Sequence, residues 1–228
     1  MQWFSFNDKT SDEFDLIINK YPGIISPNRR MEKIEVIGRH GHLTHDYGSY
    51  ESFTLDFELT LMDSSIEKIR EIIRWLSGAG KLTLSREPDK YYLARIKNAI
   101  PFEQVFTNGF KTFKLTFECQ PFAYEYGLST IKCGSGITRV YNHTNISSLP
   151  ILKIIGDGVQ VIRVNEIEIT LTLDGYMILD SELEVAHKGG ANRNDKMIGG
   201  FPLFDIGFNE IELPEGVTCV ITPNWKWI

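Results

Sequence analysis

The chain has 228 residues, of which 42% are hydrophobic and 24% charged, so it can build a real core and is not a largely disordered protein. Its length suits one large or two modest domains. The formal net charge is −6, divided as −2 over residues 1–126 and −4 over residues 127–228. Because neither half is basic, the composition excludes a protein that grips DNA through its phosphates.

The first residues, MQWFSFNDKTSDEFD, lack the basic start and apolar centre of a signal peptide. No apolar stretch approaches the ~18 residues of a membrane helix. The cysteines, Cys119, Cys133 and Cys219, are odd in number and widely spaced, without a zinc pattern. We expect reduced thiols, as in a cytoplasm, in a protein that is made and used in water and has no membrane contact.

Alternation of apolar and polar residues dominates the chain and predicts strands. From Phe53 to Leu61 every second residue is Phe or Leu, which is the pattern of a strand with one buried face. The same period of two runs through residues 110–117, 161–166 and 167–173. The sequence therefore predicts a mostly β protein.

One segment departs from this pattern and predicts a single amphipathic helix over about 65–77. The residues Ser64 and Glu67 have the spacing of a capping box, and Gly78 follows as a helix stop. Isoleucines and leucine recur at helical spacing in between, and Trp75 lies in the last turn. We expect this helix to pack across a sheet of the first domain with these side chains buried: Ile66, Ile69, Ile73 and Leu76.

Turn signals separate the strands and divide the chain. Glycine-containing pairs at 157–158, 174–175 and 189–190 predict turns, and the polar stretch His187–Lys196 predicts a flexible loop. A small, polar segment follows residue 126, so we place a boundary there. The predicted domains are residues 1–128 and 129–228, each a β-sandwich or barrel, with the helix in the first.

A histidine-rich segment, Arg39–Asp46, is the strongest candidate for chemistry. Three histidines and one aspartate lie within seven residues, but the spacing is looser than that of zinc motifs. The alternative is a solvated hairpin tip, which we favour, and we expect no bound metal. As a polar tip without a role in a core, this region is our candidate for contact between subunits, through Arg39, His40, His42, His45, Tyr47 and Tyr50.

Enzyme motifs are missing from the sequence. It contains no GxSxG elbow and no phosphate loop with the GxxxxGK[ST] spacing. The paired glutamates at 166/168 and 210/212 fit exposed strand positions better than an acid–base pair. The terminal tryptophans, Trp3, Trp225 and Trp227, fit strands pinned into sheets better than a platform for sugars. We expect no catalysis and no cofactor.

Several short motifs, in a fixed order along nearly the whole chain, carry a family resemblance. The first half contains Pro22-Gly23-Ile24, Gly38-Arg39 and Trp75-Leu76-Ser77-Gly78. The second half contains Leu149-Pro150-Ile151-Leu152, Ile178-Leu179-Asp180-Ser181-Glu182, Gly200-Phe201-Pro202-Leu203 and Pro223-Asn224-Trp225-Lys226. In these motifs the chain resembles the distal tail proteins of siphophages, the bacteriophages with long non-contractile tails.

The resemblance implies more than the pattern of residues does. It implies a tail-tube-like first domain, residues 1–128, and a galectin-like β-sandwich, residues 129–228. It also implies a homo-oligomeric ring, usually of six copies, between the tail tube protein and the tail-associated hub or baseplate protein. The protein would be synthesised in the host cytoplasm and would lie at the virion tail tip. DNA would pass through the ring without specific binding.

A galectin-like fold also raises a second hypothesis, that of a carbohydrate-binding module. A similar fold does not imply sugar binding, however, because the binding site depends on particular side chains. The one comparable stretch, His143-Thr144-Asn145, lacks a stacking tryptophan with His, Asn and Arg around it. We therefore favour the structural role, and we expect the lysines and arginines of the first domain to lie away from the ring's channel.

Overall fold

The computed structural model describes residues 2–62, 65–98, 100, 103–104, 111–127 and 130–228. The chain divides into two compact units, the first comprising residues 1–123 with 228 and the second residues 124–227. The predicted domain boundary, between residues 128 and 129, lies outside the described residues. The chain is mostly β, as its alternating pattern predicts.

Ten strands begin in the described part of the first unit. They are β1 (Phe4–Phe6), β2 (Lys9–Thr10), β3 (Leu16–Lys20), β4 (Arg29–Glu35), β5 (His42–Tyr50), β6 (Phe53–Leu61), β7 (Ala79–Leu84), β8 (Glu87–Ile96), β9 (Glu103–Gln104) and β10 (Lys111–Glu125). A 3-10 turn, Ser11–Phe14, lies between β2 and β3. The main sheet has the order β2-β1-β7-β8-β10-β6-β3, and β4 and β5 form a separate two-stranded sheet.

The predicted strand over residues 53–61 is confirmed as β6, which pairs antiparallel with β10. Phe57 lies opposite Leu115, and both side chains are fully buried. The alternation in β10 also holds for residues 111–117, whereas Phe110 lies outside the described residues. Period-two burial thus places one face of this sheet against the core.

The predicted helix is confirmed as α1 (Ile66–Trp75). Its N-cap is Ser65, whose Oγ accepts a hydrogen bond from the backbone amide of Lys68 at 3.3 Å. The capping box proposed for Ser64 and Glu67 depends on a residue outside the described part of the chain. After the helix, Gly78 adopts φ +87°, a conformation that favours glycine.

The predicted buried face of α1 is partly wrong. Leu76 is buried and Ile69 packs at the edge of the core, but Ile66 and Ile73 are exposed. The fully buried positions are Ile72, which the spacing did not predict, and Leu76, which it did. Trp75, between them, is also buried. The physical reason is the size of Trp75, since burying an indole contributes more than burying an isoleucine and turns the helix so that the indole faces the sheet.

Ten further strands follow among the described residues of the second unit. They are β11 (Ile131–Cys133), β12 (Gly136–Asn142), β13 (Ile151–Val164), β14 (Ile167–Asp180), β15 (Val185–Lys188), β16 (Ala191–Asn192), β17 (Met197–Ile198), β18 (Gly207–Leu213), β19 (Thr218–Thr222) and β20 (Lys226–Trp227). The sheet order is β11-β19-β13-β14-β15-β16, with β18 joining β12 to β13 and β17 beside β14. Its inner residues form a separate apolar core.

The long hairpin β13–β14 corrects two predicted turns. Asp157 lies opposite Asp174, and Gly156 opposite Gly175, within an unbroken ladder. These positions were predicted to end strands because they contain glycine, yet Gly175 takes φ +78° while the pairing continues. Conversely, the alternating run 161–166 ends at Val164, and the turn of this hairpin lies at residues 165–166.

The predicted flexible loop, His187–Lys196, is also wrong. It contains the end of β15, the strand β16 and a 3-10 turn, Asn194–Lys196. The side chain of Asn194 accepts from the amide of Ala186 at 2.6 Å and donates to the carbonyl of Glu184 at 3.3 Å. Hydrogen bonds from polar side chains to nearby backbone groups can order a segment that has few apolar residues. The composition of the segment does not show whether these bonds form.

The tryptophans and cysteines lie largely inside. Trp225 packs in the second core, and Trp227, on β20, donates its indole N–H to Glu125 at 2.8 Å. All three cysteines are free and buried, and burial raises the pKa of the Cys119 and Cys219 thiols to about 12. Among the residues described, no helix is long and apolar enough to cross a membrane.

We expect Ile72→Ala to lower the free energy of unfolding by about 2–4 kcal/mol, because it leaves a cavity under α1. Ile73→Ala is a matched control, since Ile73 is the next residue of the same helix and is 48% exposed. Its cost should stay within about 0.5 kcal/mol. Urea unfolding of both variants measures the difference, and equal losses would contradict this orientation of the helix.

Candidate subunit interface on the β4–β5 hairpin

The strands β4 and β5, with the turn at residues 36–41, form a hairpin that we call the hairpin arm, residues 29–50. Ile34 lies opposite Leu43, and Glu35 opposite His42, in an antiparallel ladder. Every residue of β4 is exposed, and so is every residue of β5 except its last two. The arm therefore lies on the surface of the first unit, and no strand among the described residues pairs with its outer edges.

Charged and aromatic groups hold the base of the arm. Arg29 donates from Nε to Asp46 Oδ2 at 2.9 Å and from a terminal nitrogen to the Tyr50 hydroxyl at 3.2 Å. The other oxygen of Asp46 accepts from the amide of Gly48 at 2.8 Å. This amide and then Arg29 lower the pKa of the Asp46 carboxyl, so the carboxylate stays ionised at neutral pH.

The two faces of the arm differ in chemistry. Because paired residues share a face, Ile34 and Leu43 lie together, with His45 and Tyr47 further along the same face. The rings of His45 and Tyr47 meet edge to face at 4.8 Å, and the Tyr47 hydroxyl donates to Glu32, which raises the pKa of Tyr47. We call this the apolar face of the arm.

The opposite face of the arm is polar. Its side chains come from the intervening positions of both strands, namely Met31, Lys33, Glu35, His42, Thr44 and Asp46. Met31 is the large apolar side chain among them. The arm is thus amphipathic even though neither face is covered by its own unit.

The structure places the six predicted contact residues on this one arm without making them a single cluster. Arg39 and His40 lie in the turn, while His42, His45, Tyr47 and Tyr50 lie on β5. His45 and Tyr47 share the apolar face, whereas His42 points to the polar face. Whether these residues contact another subunit stays a prediction.

The histidine segment shows no arrangement of metal ligands. Within the described ranges, no group of three or more His, Cys, Asp or Glu side chains is placed to hold a metal ion. His42 and His45 lie on opposite faces of β5, as expected for positions three apart in a strand. The absence of metal in the protein stays a prediction for elemental measurement.

Sequence reasoning missed the apolar residues that give the arm its character. Ile34, Ile37 and Leu43 are 43%, 104% and 40% exposed. Large apolar side chains usually belong to a core, so the sequence did not predict that these three are exposed. The available signal was their position, since they flank the same glycine-containing turn that carries the histidines.

The arm presents open strand edges and apolar side chains to solvent. Its two free edges offer unpaired backbone amides and carbonyls, and its apolar face offers Ile34, Leu43 and Tyr47. A two-stranded hairpin is marginally stable in water by itself. Open edges and apolar side chains together are features that neighbouring protein covers in assemblies.

Comparison with known proteins finds relatives among phage tails. The family of phage tail protein RIFT-related domains matches residues 9–119, about half of the chain. A comparison with curated protein sequences finds no match. Among solved structures, the SPP1 Dit (gp 19.1) protein, described as a paradigm of the hub adsorption apparatus in phages that infect Gram-positive bacteria, is 14% identical. Its TM-score is 0.77, and the match covers 100% of both chains.

Two structures of the phage p2 baseplate in its activated conformation, one with Sr and one with Ca, are more distant. Their identities are 10% and 11%, and their TM-scores are 0.46 and 0.45. The matches cover 97% and 96% of this chain, and 98% and 97% of the baseplate chains. The full-length likeness to the SPP1 protein is thus the one that defines the fold.

We expect Arg29→Gln to raise the pKa of Asp46 only part of the way to its ordinary value, because the amide of Gly48 remains bonded. Since the folded pKa is lowered, the stabilisation from this group is present above the unfolded pKa and is lost as pH falls through the folded pKa. Carboxyl NMR titration measures both values. Arg30→Gln should leave Asp46 unchanged, and a wild-type Asp46 with an ordinary pKa would contradict the geometry.

Proposed function

We propose that this chain, a siphophage distal tail protein with a phage tail RIFT-related domain in its first half, forms the ring that joins the tail tube to the host-adhesion device. Its structural role in the tail or baseplate follows from the family and the fold. The ring, its six copies and its neighbours are the parts that we propose. The neighbours are the tail tube protein on one side and the tail-associated hub or baseplate protein on the other.

The observation that carries the proposal is the agreement of fold over the whole chain. A TM-score of 0.77 with complete coverage in both directions means that both units, in the same order, have counterparts in the SPP1 hub protein. At 14% identity, particular residues do not transfer. Contacts between subunits must therefore be argued from the surface of this chain.

The hairpin arm is the surface that supports a ring. If its apolar face lies against the first unit of a neighbouring copy, Ile34 and Leu43 leave water and an open strand edge is covered. Each buried side chain of this size contributes roughly 1.5–3 kcal/mol when fully desolvated. The contact is between different surfaces of two copies, and such heterologous contacts close into rings when the rotation permits.

The ring leaves a central channel for double-stranded DNA in this proposal. A channel rich in lysine and arginine would bind phosphates and slow the passage of DNA, so the lining should be neutral or acidic. Charge pairing in the first unit supports this arrangement, because several of its basic groups are matched with carboxylates. Examples are Arg95 with Glu118 at 2.6 Å and Lys114 with Asp56 at 2.9 Å.

The same assignment makes the protein a structural component without catalysis. Its solved relatives are described as hub and baseplate components. The paired glutamates of the second unit support this view, since Glu210 lies 2.9 Å from Arg139 and Glu168 lies 2.9 Å from Arg163. These exposed carboxylates are ion-paired partners on the sheet surface.

A carbohydrate-binding module is the second candidate function, and one observation favours it. Tyr141 and Phe208 lie opposite each other on β12 and β18, with their ring centroids 4.9 Å apart and 57% and 75% of their surfaces exposed. Their ring planes are tilted by 55°, so they do not form one flat stacking platform. Trp225, which a platform of tryptophans would need, is buried. Assembly remains the better conclusion.

For the ring, we expect the wild-type chain to assemble with rising concentration and Leu43→Glu to stay monomeric, because the new carboxylate would have to be buried in the contact. Light scattering measures the mass, and electron microscopy shows whether rings of six form. Ile198→Glu is the control, since Ile198 is an exposed apolar residue of the second unit. Unchanged assembly of Leu43→Glu would refute the arm as the contact, and a wild-type monomer at high concentration would refute the ring.

For the second candidate, we expect no cell-wall saccharide to bind with sub-millimolar affinity in a calorimetric titration. The reason is that the aromatic pair is tilted, and the polar groups beside it on the same face, Arg139 and Glu210, are already bonded to each other at 2.9 Å. Tight binding that Phe208→Ala abolishes would establish the module instead. Tight binding that this variant retains would place a sugar site elsewhere, and it too would overturn the expectation.

A further inference from the structure

A small pocket on the second unit is lined by positive charge although the chain as a whole is acidic. Its cavity is about 160 Å³. The lining side chains are Thr172, Leu173, Asp174, Tyr176, Met177, Lys188, Arg193 and Lys196. Three of these are cations and one is an anion, an excess of two positive charges in a protein with net charge −6.

Arg193 differs from the other charged side chains of the pocket in its lack of a bonding partner. It is half-buried, and within the described chain its guanidinium has no hydrogen bond or ion pair. Its N–H donors are therefore available to an anion that enters the pocket. Its planar fork of N–H donors matches the oxygens of a carboxylate or phosphate.

The other charges of the pocket leave this guanidinium unneutralised. Asp174, which is 90% exposed, lies 3.2 Å from Lys188 and faces mostly into water. Lys196 lies 3.6 Å from Asp195, its neighbour in sequence. Lys153 adds a further positive charge, since it lies over the Tyr176 ring at 5.0 Å from its centroid, beside Lys188 at 5.3 Å.

The segment that carries the cations is locked in place. The amide of Arg193 donates to the carbonyl of Ala186 at 2.7 Å, and the amide of Lys196 donates to the carbonyl of Arg193 at 2.9 Å. The Asn194 amide is in turn bonded to the Asn192 side chain at 2.9 Å. A site that is already ordered pays little conformational entropy when a ligand binds.

The floor of the pocket strengthens electrostatic attraction. Leu173 and Met177 belong to the apolar core and are nearly fully buried. Charges above such a low-dielectric floor interact more strongly than charges surrounded by water. The pocket therefore combines a fixed geometry, a positive excess and a weakly screening surface.

We propose that this pocket binds a phosphate group, with Arg193 as its principal ligand and Lys188 and Lys196 beside it. Asp174 and Asp195 balance two of the three cations, so the number of donors decides between ligands: a phosphate monoester, which carries about −1.5 to −2 at neutral pH, offers three oxygens to three cationic side chains, whereas a carboxylate offers two. The cavity has room for a phosphate group. This inference goes beyond the assembly role and does not depend on the ring.

Titration calorimetry with inorganic phosphate, on the full chain at fixed ionic strength, tests the proposal. We expect saturable binding, with a dissociation constant that rises about tenfold or more in Arg193→Gln because a charge-assisted bidentate contact is lost. Lys196→Gln, at an exposed position, should weaken binding in the same direction. Arg163→Gln removes an equal charge from the outer face of the same unit and should leave the constant unchanged.

Acetate at the same ionic strength distinguishes a phosphate site from a general anion site. We expect acetate to bind at least tenfold more weakly. Absence of saturable phosphate binding, equal binding of acetate, or an unchanged constant in both pocket variants would each overturn the proposal. Should Arg193→Gln fail to fold, as judged by thermal unfolding, Lys196→Gln with the Arg163→Gln control decides the question.

Discussion

The first unit depends on the way in which Trp75 is enclosed. Its indole stacks on Phe14 at 4.2 Å and on Phe4 at 5.7 Å, with both pairs of rings nearly parallel. Its N–H donates to the carbonyl of Phe6 at 2.7 Å. One side chain thus ties the first strand and the 3-10 turn to the helix, which lies much further along the chain. The indole N–H is hydrogen-bonded while the rings are buried, and a tryptophan inside a core needs both.

That enclosure also explains why the apolar residues of the hairpin arm remain outside. The core of the first unit is filled by the aromatic side chains around Trp75 and by the inner face of β6 and β10. Ile34 and Leu43 lie on a separate sheet that has no place against this core. Their exposure is a cost to the isolated chain, and a neighbouring subunit would remove it. A filled core therefore connects the fold of the unit to the assembly that we propose.

Charge is distributed unevenly over an acidic chain. On the outer face of the second unit, Arg139 and Arg163 are paired with glutamates on neighbouring strands. Exposed pairs of this kind contribute little stability, but they leave few free cations to attract DNA. Arg193 differs because its segment is held by backbone hydrogen bonds above an apolar floor. The contrast between paired and unpaired guanidinium groups separates a solvated surface from a candidate site.

Alternation alone determined much of the strand content. The pattern of Phe53–Leu61 predicts both the strand β6 and its buried face, because period two is a property of the extended backbone itself. The position of α1 could likewise be predicted from isoleucine spacing and Gly78. The arm could be predicted as a hairpin tip rich in histidine, since glycine and polar residues mark turns.

Contacts between residues distant in the chain decided the rest. Which isoleucines of α1 are buried depends on Phe4 and Phe14, so helical spacing could not separate Ile72 from Ile73. By its residue type, Gly175 is predicted to lie in a turn, yet β14 continues through it in its pairing with β13. The reason is that the ladder hydrogen bonds on both sides outweigh the local preference for a turn. The sequence by itself determined periodicity, charge and turn chemistry, which are local. Only the tertiary structure decided which face is covered and which cation is left without a partner, because burial and pairing are properties of neighbours in space.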